Sequence, residues 1–216
     1  MRLHIARACM GAFMIAAAAL PAHAELWRVY LTVEGTQVEA TRDTETGLDW
    51  LDLRQTADKA GLDVISGPFY AAGFLHATKA QVQDLFAHAQ VPDDGYDLRI
   101  TRPHQAQALI DLLGPLWSGS QGSGTAGITR TLVGGTDLEP GTWTLPPPVF
   151  QVGRVEYQDL RASGGGLIGE AHFTGDAMDG EQHDPHVGSF LVRRSDDCHN
   201  TGQSTQLNCG VPASPR

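Results

Sequence analysis

The start of the chain decides how much of it is left to fold. Arg2 and Arg7 precede a run from Ala8 to Leu20 that is apolar apart from Gly11. Pro21 ends the run, and Ala22-His23-Ala24 offers small residues around a cleavage point. A basic start, a short apolar run and a small-residue exit read as a secretory leader, which drops out of fold reasoning. The run is too short for a membrane span. The expected layout is a signal peptide over 1–24, a single exported domain over 25–194 and a polar tail over 195–216.

Charge narrows the partners. Losing the leader removes two of the fifteen basic side chains and none of the twenty-five acidic ones, so the formal net charge becomes −12. Such a surface repels nucleic acid and anionic lipid. The basic residues never cluster, and no later stretch is long and apolar enough to anchor the protein in a membrane. The expected location is periplasmic or secreted, with a cell-surface or extracellular ligand as the partner.

The same compartment bears on the cysteines. Cys9 lies inside the leader, which leaves Cys198 and Cys209. An even count in an exported chain predicts a disulfide between them. A loop of that size is worth about 3 kcal/mol in the chain-entropy model. The bridge would staple the tail and not the core. A zinc pair using His199 is the less favoured alternative.

Local patterns predict the elements. Leu26 to Val33 is rich in β-branched and aromatic residues and reads as a strand. The stretch GTQVEATRDTETG follows as a hairpin or edge strand, with Asp43 to Gly47 as its polar turn, and an alternation resumes over Gly47 to Leu53. A helix could begin over Gln55 to Leu62, interrupted by Gly61. The strongest helix runs from Lys79 to Ala89. Thr78 caps it, Gln81 completes a capping box, and Val82, Leu85, Phe86 and Ala89 form an apolar stripe. A second helix is expected after a Thr101 cap, with Pro103 in its first turn and Ala106, Leu109, Ile110 and Leu113 buried. Ser118 to Gly127 reads as a loop. It has no lysine to meet a phosphate, so it is not a phosphate loop. Strands are expected over 128–133, 149–160, 166–173 and 187–193. The fold class is α+β, with two or more helices packed against a mainly antiparallel sheet and with long loops.

Two groups of segments carry a resemblance. Asp43 to Gly61, DTETGLDWLDLRQTADKAG, is followed by GFLHATKAQVQDLFAHA over Gly73 to Ala89, and His186 to Arg194 reads HVGSFLVRR. Together they resemble a family of bacterial exported proteins, many of which end in a PEP-CTERM sorting signal. That family is similar in turn to exported domains of which some are lectin-like or adhesin-associated. The resemblance implies a compact α+β domain with its terminal strands paired, and it implies no catalytic residues. This chain has a cysteine-bearing tail where those relatives carry the sorting signal. Physically, the motif reads as scaffold. Gly47 suits a positive φ, Trp50 and Leu51 supply apolar surface, and Asp49 or Asp52 can cap local backbone donors.

One segment gathers groups with possible chemistry. In EAHFTGDAMDGEQHDPH, His172, His183 and His186 are joined by Asp176, Asp179, Glu181 and Asp184. Imidazoles with carboxylates suit a borderline metal, and carboxylates alone suit calcium. The spacings fit neither standard pattern, and a hydrated acidic loop is the simpler expectation. A metal is therefore a possible but not a favoured cofactor. No nucleophile elbow and no HExxH motif is present, and acid pairs such as Asp93-Asp94 suit turns. The expected function is a non-catalytic exported binding or surface-associated module. The alternatives are a metal-dependent hydrolase using 172–186, and a carbohydrate-binding module using exposed aromatics such as Trp117 or Trp143.

Overall fold

The structure, a computed structural model, describes residues 25–91, 102–120, 128–138, 149–161 and 165–195. The leader-like segment, Asp93, Asp94, Thr101, Trp143, Cys198, His199 and Cys209 lie outside the described residues. In chain order, β1 (Leu26–Val33) turns at Glu34 and Gly35, both at positive φ, into β2 (Thr36–Asp43). Alternation explains the hairpin: Val29, Leu31 and Val33 are buried on one face, against Val38 and Ala40 of β2. Then come β3 (Leu48–Leu51), a single 3-10 turn at Leu53–Gln55, α1 (Gly61–Ile65), α2 (Pro68–Ala71) and β4 (Leu75–His76). The two longer helices are α3 (Lys79–His88) and α4 (Pro103–Leu113). The second half holds β5 (Trp117–Ser120), β6 (Ile128–Leu138), β7 (Val149–Asp159), β8 (Leu167–Asp179), β9 (Gly188–Ser189) and β10 (Leu191–Arg194).

The fold is α+β, and its strands form two sheets. The first has the order β1-β2-β3-β10-β4, so the last strand sits between two early ones. The second has the order β5-β6-β7-β8. The strand pairs are antiparallel except β9, which runs parallel to β6. Burial on both faces of β3 and β10 ties the layers together. Trp50 and Val192 face a core shared with α3, α4, Val155 and Phe190. Leu51 and Leu191 face a second core with Val64, Phe69 and Phe74. Trp50 meets Phe190 edge to face, with ring centroids 6.4 Å apart.

Three local expectations are corrected. Gly61 starts α1 and does not interrupt a helix; a Cβ there would lie 2.4 Å from the Phe150 ring, so glycine lets α1 approach β7. The residue in the cap position of α4 is Arg102, not Thr101, and its backbone N–H donates to the Gly169 carbonyl at 2.8 Å. Residues 118–120, expected in a loop, belong to β5, because Ser118 and Gly119 pair with Arg130 and Thr129.

Candidate functional site

Beside β10 the first sheet has a notch. Its edge strand β4 is two residues long and pairs only with Leu191 and Val192. β10 runs on through Arg193 and Arg194, which pair on their other side with Asp49 and Leu48. A cleft of about 490 Å³ opens there, within the range of small-ligand sites. Leu48, Val192 and Leu75 give it apolar surface, and Leu75 is 58% exposed. Tyr70 and Gly73 enter from α2 and the turn after it, and Thr78 and Gln81 from the start of α3. Among the described residues no aspartate or glutamate lines it.

His76 is held at this notch without charge. Its Nδ1 and the Tyr70 hydroxyl are 2.5 Å apart, and its own backbone N–H donates to that hydroxyl oxygen at 3.1 Å. The ring lies against Phe150, with centroids 5.0 Å apart. Nε2 has no hydrogen-bond partner among the described residues. Burial lowers the His76 pKa to about 4, because the imidazolium would lose its hydration. The neutral ring and the Tyr70 hydroxyl share one proton at the Nδ1 contact.

Behind the notch a buried carboxylate organises the arginines. Asp49 accepts from Arg42 Nε at 2.7 Å and Nη2 at 3.0 Å, and Arg193 Nε lies 4.0 Å away. The hydrogen bond to Asp49 raises the Arg42 pKa above its ordinary value. The Arg193 guanidinium also lies over the Phe74 ring, 4.9 Å from its centroid. Arg194 is exposed and has no ion pair among the described residues.

A second polar group lies on the sheet face formed by β6, β7 and β8. Glu156 and Glu170 sit directly opposite each other, and Arg154 sits opposite His172. Glu156, Glu170 and His172 are all buried, and Arg154 Nη2 is 2.8 Å from Glu156. Thr131 faces Glu156 from β6. The register thus gathers two buried acids, a guanidinium and a buried imidazole on one face. Of these, only His172 carried a signal in the sequence.

The other residues of the His/Asp-rich segment are spread apart. Asp176 and Asp179 belong to the end of β8 and not to a loop. Asp179 accepts the Glu181 N–H at 2.9 Å, a local turn contact. His183 and His186 are exposed beyond it. His183 Nδ1 is 2.9 Å from the Asp58 carbonyl, and its Nε2 is 3.7 Å from Asp63. Among the described residues no three His, Cys, Asp or Glu side chains converge to hold a metal.

Trp117 is half-buried, and its ring lies over Gly119 of its own strand, where a Cβ would come within 2.5 Å. Among the described residues no helix is long and apolar enough to cross a membrane. No protein-family model, curated protein or solved structure matched the chain.

Proposed function

We propose that the chain is an exported, non-catalytic binding domain whose ligand occupies the notch beside β4 and β10. The observation that carries this reading is the cleft of about 490 Å³, with an exposed leucine at its side and two arginines in its wall. Export is supported by the leader-like first 24 residues. A surface-associated role draws on the resemblance to PEP-CTERM-type exported proteins. The buried group around Glu156, Glu170 and His172 supports a second reading, a hydrolase with an acid–base site on the β7–β8 face.

Titrating a fragment library into the isotope-labelled chain, followed by backbone amide shifts, separates the two. The binding reading expects shifts at Gly73, Leu75 and Arg194. Shifts confined to Glu156, Glu170 and His172, together with turnover of ester, glycoside or phosphate substrates, would overturn it. Stoichiometric zinc in the purified protein, with activity lost on chelation, would do the same. Binding on a glycan array that is lost in Y70A would assign the ligand to carbohydrates.

A further inference from the structure

We propose that the notch selects a ligand carrying an anionic oxygen group beside an apolar body, an inference that rests on the notch being the ligand site. Internal bonds occupy several of the polar side chains that line the notch. Gln81 is locked by the capping box: its Oε1 accepts the Thr78 backbone N–H at 2.9 Å and the Thr78 hydroxyl at 3.2 Å. A backbone N–H can only donate, so the amide oxygen must face Thr78 and the Nε2 amine must face away. The Thr78 hydroxyl is also occupied, since it accepts the Gln81 N–H at 3.2 Å. The Tyr70 hydroxyl is engaged by His76 Nδ1 and accepts the His76 N–H. Of the side chains lining the cleft, Gln81 keeps its Nε2 donor, and the exposed Arg194 keeps a guanidinium that only donates.

Charge points the same way. Among the described residues the wall holds Arg193 and Arg194 and no acid, in a chain whose formal net charge is −10. A cationic or purely donating group would face donors there. An oxyanion meets both groups, and a guanidinium can bind it through two parallel N–H donors. Leu48, Leu75 and Val192 then cover the apolar part. The shared chemistry is the anionic oxygen group, and a carboxylate or a phosphate can supply it.

The test titrates phenylacetate, phenyl phosphate and phenylacetamide into the labelled full chain at pH 7.5 and follows backbone amide shifts. Both acids should shift Gly73, Leu75 and Arg194, and the neutral amide should bind at least about tenfold more weakly, the scale of one charge-assisted hydrogen bond. The tighter of the two acids identifies the anionic group. R194Q changes an exposed side chain and should weaken the acids about tenfold. Q81E keeps the capping box, because glutamate serves at that position, but replaces the free donor with a charge. It should weaken the acids at least as much, with an unchanged circular dichroism spectrum. Equal binding of acids and amide at the notch would overturn the anionic requirement and leave the ligand site standing. Acid binding that shifts other residues and ignores both variants, or no binding by any probe, would overturn the inference and the site together.

Discussion

The imidazole of His76 lies 5.0 Å from the ring of Phe150, and through that contact the edge strand of the first sheet rests on β7 of the second. The junction contains a titratable group that is nearly buried, with one ring nitrogen bonded to Tyr70 and the other without a partner among the described residues. It is therefore a place where acid acts on the fold.

The folded-state pKa of His76 is about 4, below its ordinary value of 6.5, so the unfolded chain binds this proton more tightly. The associated stability is fully present above pH 6.5 and is lost as the pH falls through 4. The depression corresponds to a loss on the order of 3 kcal/mol across that window. Urea unfolding at several pH values should show the wild type losing more stability between pH 6.5 and 4 than H76F does. H76F keeps a ring against Phe150 and cannot titrate. Parallel profiles would sink the assignment.

Gly114 should not tolerate a side chain. It ends α4 at φ +89°, where its N–H closes the helix onto the Ile110 carbonyl. A Cβ there would lie 2.2 Å from Asp52 Oδ1, and Asp52 is buried and clamped by Arg54. Strain at positive φ adds about 1 kcal/mol to the cost of displacing that carboxylate. G114A should lower the melting temperature by several degrees, while G35A, at a similarly positive φ but with open space around it, should lower it less. Equal losses would mean that Asp52 does not crowd the site.

His88 should act as a clamp between α3 and the β2–β3 turn. Its Nδ1 is 2.7 Å from Asp43 Oδ2, and its Nε2 is 3.4 Å from Glu45. Asp43 is fully buried, and its other oxygen accepts the Glu45 N–H at 2.9 Å. H88A leaves the buried oxygen without this partner, which costs about 1–3 kcal/mol. Chemical denaturation should read that loss, and hydrogen exchange should rise first at Glu45 and Thr46. An H88A protein as stable as wild type would remove the clamp from the account.

These contacts separate what was legible in the sequence from what was not. The helix α3 could be read because its signals are local: Thr78 and Gln81 are three residues apart, and Val82, Leu85 and Phe86 share a face. The cap at Asp52 is local too, since its carboxylate accepts the Arg54 N–H. β4 carries no such signal. Two residues have no periodicity, and Leu75-His76 is a strand only because Leu191 and Val192 lie beside it. The same holds for the notch, whose walls come from three regions of the chain. His172 was visible as a chemical residue, but Arg154, Glu156 and Glu170 join it only through the β7–β8 register. The Arg42–Asp49 pair likewise depends on the β2–β3 register, which sets those two residues opposite each other.

Trp50 should reveal how much of the core is shape and how much is the indole nitrogen. The side chain is fully buried against Phe190, yet its Nε1 has no hydrogen-bond partner among the described residues. W50A should cost about 3–5 kcal/mol through lost burial and the cavity left behind. W50F should cost much less, because phenylalanine keeps an aromatic surface and removes a buried donor without a partner. Comparable losses in the two variants would show that the nitrogen is bonded.

The last prediction sets a buried ion pair against an exposed one. Asp49 is fully buried, accepts two hydrogen bonds from Arg42, and faces Arg193, which is itself almost buried. Removing this carboxylate leaves guanidinium charge behind in the protein, and breaking a buried pair in that way costs about 3–5 kcal/mol. The pair of Asp159 and Arg161 has an equally short contact, 2.6 Å, but Arg161 is exposed to solvent. The hydrogen bonds from Arg161 hold the Asp159 carboxyl down to about 2. Water and salt nonetheless screen an exposed pair, so its net contribution to folding is small. D49A should therefore lower the melting temperature strongly, and R161A should leave it nearly unchanged. Salt should narrow any small effect of R161A and leave the D49A deficit in place. If D49A instead melts like the wild type, Asp49 does not hold Arg42 and Arg193, and the wall of the notch has another support.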